Sequence, residues 1–280
     1  MNEQNKKDDV CCICGQSMRQ VFRARVLCHE DVPYLHCERC GFLRTETPFW
    51  LEEAYAEAIA ATDVGLVERN RILSSQLASV LYFALGARAH DRVLDVAGGY
   101  GLLVRMLRDY GFDCFWQDRY CRNLFASGFE VPDAACDAEV VTAIEVMEHL
   151  VDPMAFVREV LERTRARHFL FTTELYEGPP PAPDAWWYYS RETGQHVSFF
   201  SRQTLETMAR ALGVTFMSYR GLHMLTRQPV SPAKFRLAAG RLHAVASAWT
   251  RRRLPSRIGA DYADALVKLR AGLQGGEKRG

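Results

Sequence analysis

The sequence predicts an α/β protein built on a doubly wound, mostly parallel sheet, with a small cysteine-rich module before it and a basic helical tail after it. Three observations predict this. Between Arg92 and Thr173, short apolar runs alternate with amphipathic ones, the pattern of strands joined by right-handed helical crossovers. A glycine-rich turn follows the first of these runs, and two Cys-x-x-Cys pairs lie within the first 40 residues.

Residues 1–10 are polar and charged and read as disordered. The module occupies residues 1–47, with β-like runs such as Gln20–Leu27 between its cysteines. A first helix is expected from Trp50 to Ala61, where Ala and Glu dominate and Pro48 lies just upstream. A second is expected from Leu66 to Leu85, because Ile72, Leu73, Leu77, Val80 and Leu81 recur at helical spacing and Gly86 closes the run. Arg92–Val96 then reads as a strand, Leu102–Tyr110 as a helix and Cys114–Gln117 as a strand. Arg122–Ser127 follows as a short helix, Glu139–Ile144 as a buried strand, Pro153–Thr164 as a helix and His168–Thr173 as a strand. After the stiff segment Gly178–Pro183, a helix at Arg202–Leu212 is capped by Gly213. The run Val214–Thr226 suits a hairpin turning at Arg220-Gly221. Pro229 and Pro232 separate this main domain, residues 48–230, from the tail, residues 231–280.

The chain has 280 residues, 48% hydrophobic and 25% charged, a composition that supports a packed core. The net charge of +1 hides an asymmetry, since residues 231–280 carry 11 Lys and Arg against 3 Asp and Glu. An acidic body argues against nucleic acid as a partner of the main domain. No run approaches the ~20 apolar residues of a membrane span, and no apolar leader opens the sequence, so a cytoplasmic location is expected. Phe235, Leu237, Leu242, Val245 and Trp249 alternate with arginines in the tail, a pattern for a helix packed on the core or lying against the inner face of an anionic membrane.

The segment from Val93 to Gly101 places Asp95, Ala97, Gly98, Gly99, Tyr100 and Gly101 between a strand and a helix. Glycines there let a ligand approach the backbone closely. Asp95 precedes them on the strand, which suits a cationic amino acid group better than a pyrophosphate. Asp118 falls at the end of the next strand, where a carboxylate can accept hydrogen bonds from both hydroxyls of a ribose. No Gly-Lys-Ser/Thr sequence supports a phosphate-cradling loop.

These residues resemble the first and second motifs of class I S-adenosylmethionine-dependent methyltransferases, with Ala97 in place of the first glycine. Ile144-Glu145-Val146-Met147-Glu148-His149-Leu150-Val151-Asp152-Pro153 is similar to a segment at the end of their fourth strand. The resemblance implies a Rossmann-like sheet and S-adenosylmethionine held by Asp95, Ala97, Gly98, Gly99, Tyr100, Gly101, Asp118 and Glu145.

Cys11, Cys14, Cys37 and Cys40 form two pairs separated by 22 residues, each followed by glycine. Such pairs complete a tetrahedral thiolate shell, so a structural Zn2+ is expected. Iron uses similar ligands, Cys12 is a shifted alternative, and His29 and His36 are substitutes. A zinc module leading into this core resembles sugar methyltransferases and bacterial methyltransferases of polysaccharide assembly. It implies a sugar, nucleotide sugar or glycan precursor as acceptor, with other small molecules as an alternative. The further C-terminal domain of the sugar enzymes is not expected in this sequence.

The acceptor region is expected at Trp186–Phe200, rich in aromatic and polar residues. There His196 is the candidate general base, with His149, Glu145 and Tyr189 as further candidates in catalysis. Two other readings use the same fold, a non-catalytic cofactor- or partner-binding module and a nicotinamide-dependent oxidoreductase. The latter's fingerprint would put glycine in place of Asp95.

Overall fold

Alternating side chains build the first elements of the computed structural model, which describes residues 10–55, 63–132 and 136–276. In chain order the strands are β1 (Arg19–Val26), β2 (His29–Cys37), β3 (Phe42–Thr45), β4 (Arg92–Val96), β5 (Asp113–Gln117), β6 (Val140–Ala143), β7 (His168–Thr172), β8 (Leu175–Tyr176), β9 (Ser198–Ser201), β10 (Thr215–Tyr219) and β11 (Leu222–Thr226). The helices are α1 (Leu51–Ala54), α2 (Leu66–Ser79), α3 (Leu102–Asp109), α4 (Pro153–Thr164), α5 (Arg202–Leu212), α6 (Pro232–Ala239), α7 (His243–Arg253) and α8 (Ile258–Gly276). Of residues 1–10, expected to be disordered, 1–9 lie outside the described residues and Val10 is ordered, bridging antiparallel to Ser17; the second half of the expected first helix, residues 56–61, also lies outside them.

The chain forms two compact units, one of residues 1–64 and 134–229, the other of residues 65–133 and 230–280. In the first unit, β1, β2, β3 and β9 run antiparallel in that order, and β8 extends β9 in parallel. The cysteine-bearing strands thus share a sheet with a strand from far along the chain, Leu43 pairing with Phe199. An aromatic core of Tyr34, Trp50, Tyr176, Tyr188, Tyr189 and Phe199 fills one face. Its fully buried rings contribute roughly 1.5–3 kcal/mol each by leaving water.

The same unit carries a parallel pair, β6 and β7, followed by the antiparallel hairpin of β11 and β10. The hairpin turns where expected, with Arg220 and Gly221 both at positive φ. Helix α4 begins at Asp152, whose side chain accepts from Ala155 N–H, with Pro153 at its first position. Helix α5 opens with a capping box between Ser201 and Thr204 and ends on Gly213 at φ 67°.

In the second unit, β4 and β5 are parallel in register, Asp95 opposite Trp116. Helix α2 leads into a wider π-type turn, where Leu85 N–H donates to Val80 O at 3.0 Å, and Gly86 at φ 71° then ends the run. The tail packs on this unit. Ser75 bonds His243 and Ser247, Gln76 donates to Ala239 O, and buried Arg108 forms a bidentate pair with Asp261. The single amphipathic stretch expected over residues 233–254 is two helices broken at Gly240, with Phe235 buried and Leu237, Leu242 and Val245 exposed. Among the described residues, no helix is long and apolar enough to cross a membrane.

One expected element is absent. Residues 122–127 form no helix, because their backbone donors are used elsewhere: Leu124 and Phe125 N–H both donate to Tyr100 O. The Asn123 side chain competes with helical bonding as well, accepting from Ala126 N–H and donating to Ala126 O. The segment buttresses the glycine-rich turn instead.

Candidate functional site

In the second unit, β4 delivers Asp95, 2% exposed, to the start of the glycine-rich turn. A side chain at Gly98 would meet Asp95 Oδ2 at 2.8 Å and Trp116 at 3.0 Å. Gly101, at φ 84°, has Asn123 Oδ1 at 2.6 Å from where a Cβ would stand. Glycine is therefore required at both places, and the turn lies flat against β5. Ala97 adopts φ 53°, a left-handed conformation costing a non-glycine residue roughly 1–2 kcal/mol. The missing glycine is thus met by strain in the backbone.

Asp118 stands at the end of β5. Its Oδ2 accepts from Gly99 N–H at 2.9 Å, and its Oδ1 from Tyr120 and Cys121 N–H at 2.7 and 2.8 Å. Trp116 Nε1 donates to Gly99 O at 2.8 Å and pins the turn from the other side. Of the roughly four lone-pair positions of a carboxylate, three are filled. Receiving two ribose hydroxyls therefore requires opening the Gly99 bond.

In the first unit, the end of β6 runs into Glu145 at φ 55°. The Thr172 hydroxyl accepts from Glu145 N–H at 2.8 Å and donates to Glu145 Oε1 at 2.6 Å, closing a ring that fixes this carboxylate. The turn after it carries Glu148 and His149. Val197 N–H donates to Glu148 O at 2.8 Å and Ser198 Oγ to Leu150 O at 2.6 Å, which draws the approach to β9 onto this turn. His149 and His196, 47 residues apart in sequence, end with ring centroids 4.9 Å apart.

Each histidine is anchored through Nδ1. That of His196 faces Tyr188 O at 2.7 Å, and that of His149 faces Gln195 O at 3.1 Å and Tyr55 OH at 2.9 Å. A carbonyl can only accept, so both rings carry their proton on Nδ1 and present Nε2 as a lone pair. Burial, aided by His149, pulls the pKa of His196 down to about 4, and burial lowers that of His149. His196 is neutral at pH 7 and weaker as a lone base than an ordinary histidine.

Glu148, absent from the candidates drawn from the sequence, belongs to this cluster. It is 0% exposed, and among the described residues neither oxygen has a hydrogen-bond partner. Burial and the neighbouring Glu145 push its pKa up to about 7. The Tyr188 hydroxyl, bonded to Thr173 Oγ1 at 3.2 Å, lies beside Glu148 and opposes that rise. The spacing Glu-x-x-Glu-His was the available signal.

Tyr189 is not brought to this cluster. It is 1% exposed, packs edge-on against Tyr34 and Phe199, and its hydroxyl donates to Pro181 O at 2.7 Å. Its apolar surroundings make it a core residue. Of the aromatic stretch, Trp187 is the exposed ring, at 77%.

The four cysteines converge as their spacing predicts. Cys11 Sγ lies 3.6 Å from Cys40 Sγ and Cys14 Sγ 3.5 Å from Cys37 Sγ, with all four within 4.8 Å of one another. A tetrahedron of thiolates at 2.3 Å from zinc has edges of ~3.8 Å. Gly15 and Gly41 N–H donate to Cys11 O and Cys37 O at 2.8 Å, and both glycines have positive φ. The second turn is docked on α5, Thr204 Oγ1 donating to Cys40 O at 3.0 Å. Cys12, His29 and His36 stay outside this group.

The methyltransferase-domain family matches residues 69–218. The chain belongs to that family. Comparison with curated protein sequences finds no match. Among solved structures, the chain is similar to TnmH at 19% identity, with a TM-score of 0.43, over 64% of this chain and 60% of that one. It is similar to the mitomycin 7-O-methyltransferase MmcR at 14% identity and TM-score 0.41, over 64% and 60%. It is also similar to human N-acetylserotonin methyltransferase at 11% identity and TM-score 0.41, over 64% and 66%. The chain thus spans about three fifths of the length of the first two. The family match covers Asp95, Asp118, Glu145, Glu148, His149 and His196, and leaves the cysteine group and the tail outside it.

Proposed function

We propose that the protein transfers the methyl group of S-adenosylmethionine to a sugar, nucleotide sugar or glycan precursor. The observation that carries the methyl-transfer reading is the order Asp95, glycine-rich turn, Asp118 on consecutive parallel strands of a methyltransferase-family domain. On this reading Asp95 faces the amino acid end of the cofactor. Gly98, Gly99 and Gly101 admit it to the backbone, with Ala97 and Tyr100 beside it, and Asp118 takes the ribose as its bond to Gly99 opens. The sulfonium is already an activated electrophile, so the chain's work is to align the acceptor and exclude water. Glu145, Glu148, His149 and His196 act on the acceptor. A glycan-type acceptor is supported by the sequence resemblance and by exposed Trp187, whose face suits a sugar ring.

The four-cysteine group holds a structural Zn2+ on this reading. Its donor set is thiolate only, with S–S separations near those of a zinc tetrahedron, and such a closed shell leaves no position for substrate. The exposed apolar residues of α7, with Arg251, Arg252 and Arg253, suit contact with an anionic membrane, which would bring the enzyme to a lipid-linked acceptor.

The test is binding and turnover together. Calorimetry should show one S-adenosylmethionine per chain, and His196→Ala should keep that affinity while losing methyl transfer to a glycan precursor panel by roughly 100-fold or more. A chain that binds no cofactor overturns the reading, and a near-normal rate for His196→Ala removes that residue from the acceptor side. Metal analysis after removal of loosely held metal should find one zinc per chain, and stripping that zinc should lower the melting temperature by several degrees.

A further inference from the structure

Glu148 poses a problem that methyl transfer alone does not answer. A carboxyl group with no exposure and, among the described residues, no hydrogen-bond partner for either oxygen is costly in a folded protein unless something arrives to meet it. It is accompanied by His149 and His196, and one donor atom from each of the three lies within 4.8 Å of the others. We propose that Glu148, His149 and His196 form a binding site for a divalent transition-metal cation, distinct from the four-cysteine group.

Three features support it besides the unmet carboxylate. Two imidazoles and one carboxylate are a donor set that holds divalent iron, manganese, cobalt or zinc while leaving coordination positions open. Both imidazoles are held from behind by backbone carbonyls, Tyr188 O at 2.7 Å and Gln195 O at 3.1 Å. This is the outer-shell arrangement that fixes the Nε2 lone pair for a metal. Glu145, secured by Thr172, adds a second negative charge that Glu148 feels, so an uncompensated cluster is repulsive and a cation relieves it.

The site also has a direction. Glu148 is buried, whereas both histidines are partly exposed, so the ion's open positions face the histidine side. Water would fill them, or a hydroxyl oxygen of the acceptor. That last role rests on the methyl-transfer reading, and the metal site itself does not. A rival group, Cys28, His29 and Glu53, is exposed, and His29 Nε2 is already engaged by Glu53 at 3.1 Å.

The experiment uses the full chain with its cysteine group loaded with zinc and loosely held metal removed. Mn2+ is titrated, and free Mn2+ is followed by electron paramagnetic resonance. One Mn2+ per chain is expected, together with a rise in melting temperature at saturating Mn2+. Glu148→Gln should weaken binding at least 10-fold, and Glu53→Gln should leave it unchanged. Failure of the unmodified chain to bind Mn2+ or to gain stability from it overturns the site, whatever the folding of the variants. So does loss of binding in Glu53→Gln. Calorimetry with S-adenosylmethionine on the same sample separates the two readings: cofactor binding without Mn2+ overturns the metal site alone, and Mn2+ binding without cofactor overturns methyl transfer alone.

Discussion

Two carboxylates, Asp118 in one unit and Glu148 in the other, meet opposite treatment. Asp118 accepts three backbone N–H groups within 2.9 Å, so its charge is met before any ligand arrives. Glu148 is more deeply buried and accepts none. The first arrangement is a preorganised grip that exchanges one hydrogen bond for another. The second is a vacancy of charge compensation, stable only because the surrounding fold over-determines it. On the readings proposed above, function at the first place depends on keeping an existing geometry, and at the second on binding a cation.

The contrast can be broken most decisively at Asp118. Asp118→Ala should weaken S-adenosylmethionine binding by about 100-fold or more, since hydrogen bonds to a charged acceptor are worth about 1.5–3 kcal/mol each. Unchanged affinity by calorimetry would make Asp118 a turn-former only. A smaller effect of opposite sign is expected at Glu148. With metal absent, Glu148→Met should raise stability to urea by about 1–3 kcal/mol, because it removes an unsatisfied buried group while keeping the volume. A loss of stability would mean that the carboxyl group has a partner after all. The smallest effect belongs to Ala97. Ala97→Gly should gain about 0.5 kcal/mol, the relief of the left-handed strain less the added freedom of the unfolded chain. A melting temperature that falls would show that the methyl group of Ala97 packs usefully.

The same contrast explains what was legible in the sequence. Helices α4 and α5 and the β10–β11 turn could be read because their signals are local: the runs Pro153–Thr164 and Arg202–Leu212, Gly213 after the second, and Arg220-Gly221. The glycine-rich turn was equally local. The failed helix at residues 122–127 was not, because Tyr100 O, more than 20 residues away, captures its N–H groups. Glu148 stood inside a motif already recognised, yet its isolation depends on β9 and the chain before it folding over the turn. Tyr189 was misjudged for the mirror-image reason. An aromatic ring beside a candidate site looks available until Pro181 O takes its hydroxyl and the rings of Tyr34 and Phe199 enclose it.

The pairing of β3 with β9 has a practical bearing on anyone dissecting this protein. Residue 47 looks like a natural place to trim the gene for a minimal catalytic fragment. Cutting there would strip the hydrogen-bonding partner from the strand that begins two residues after His196, and would uncover the rings of Tyr188 and Phe199. A thiol-modifying reagent would reach the same end by a gentler route, loosening the cysteine turns that hold β3 in place. Because Cys121 borders Asp118, a Cys121→Ser background is needed before sensitivity of turnover to such reagents can report on scaffolding.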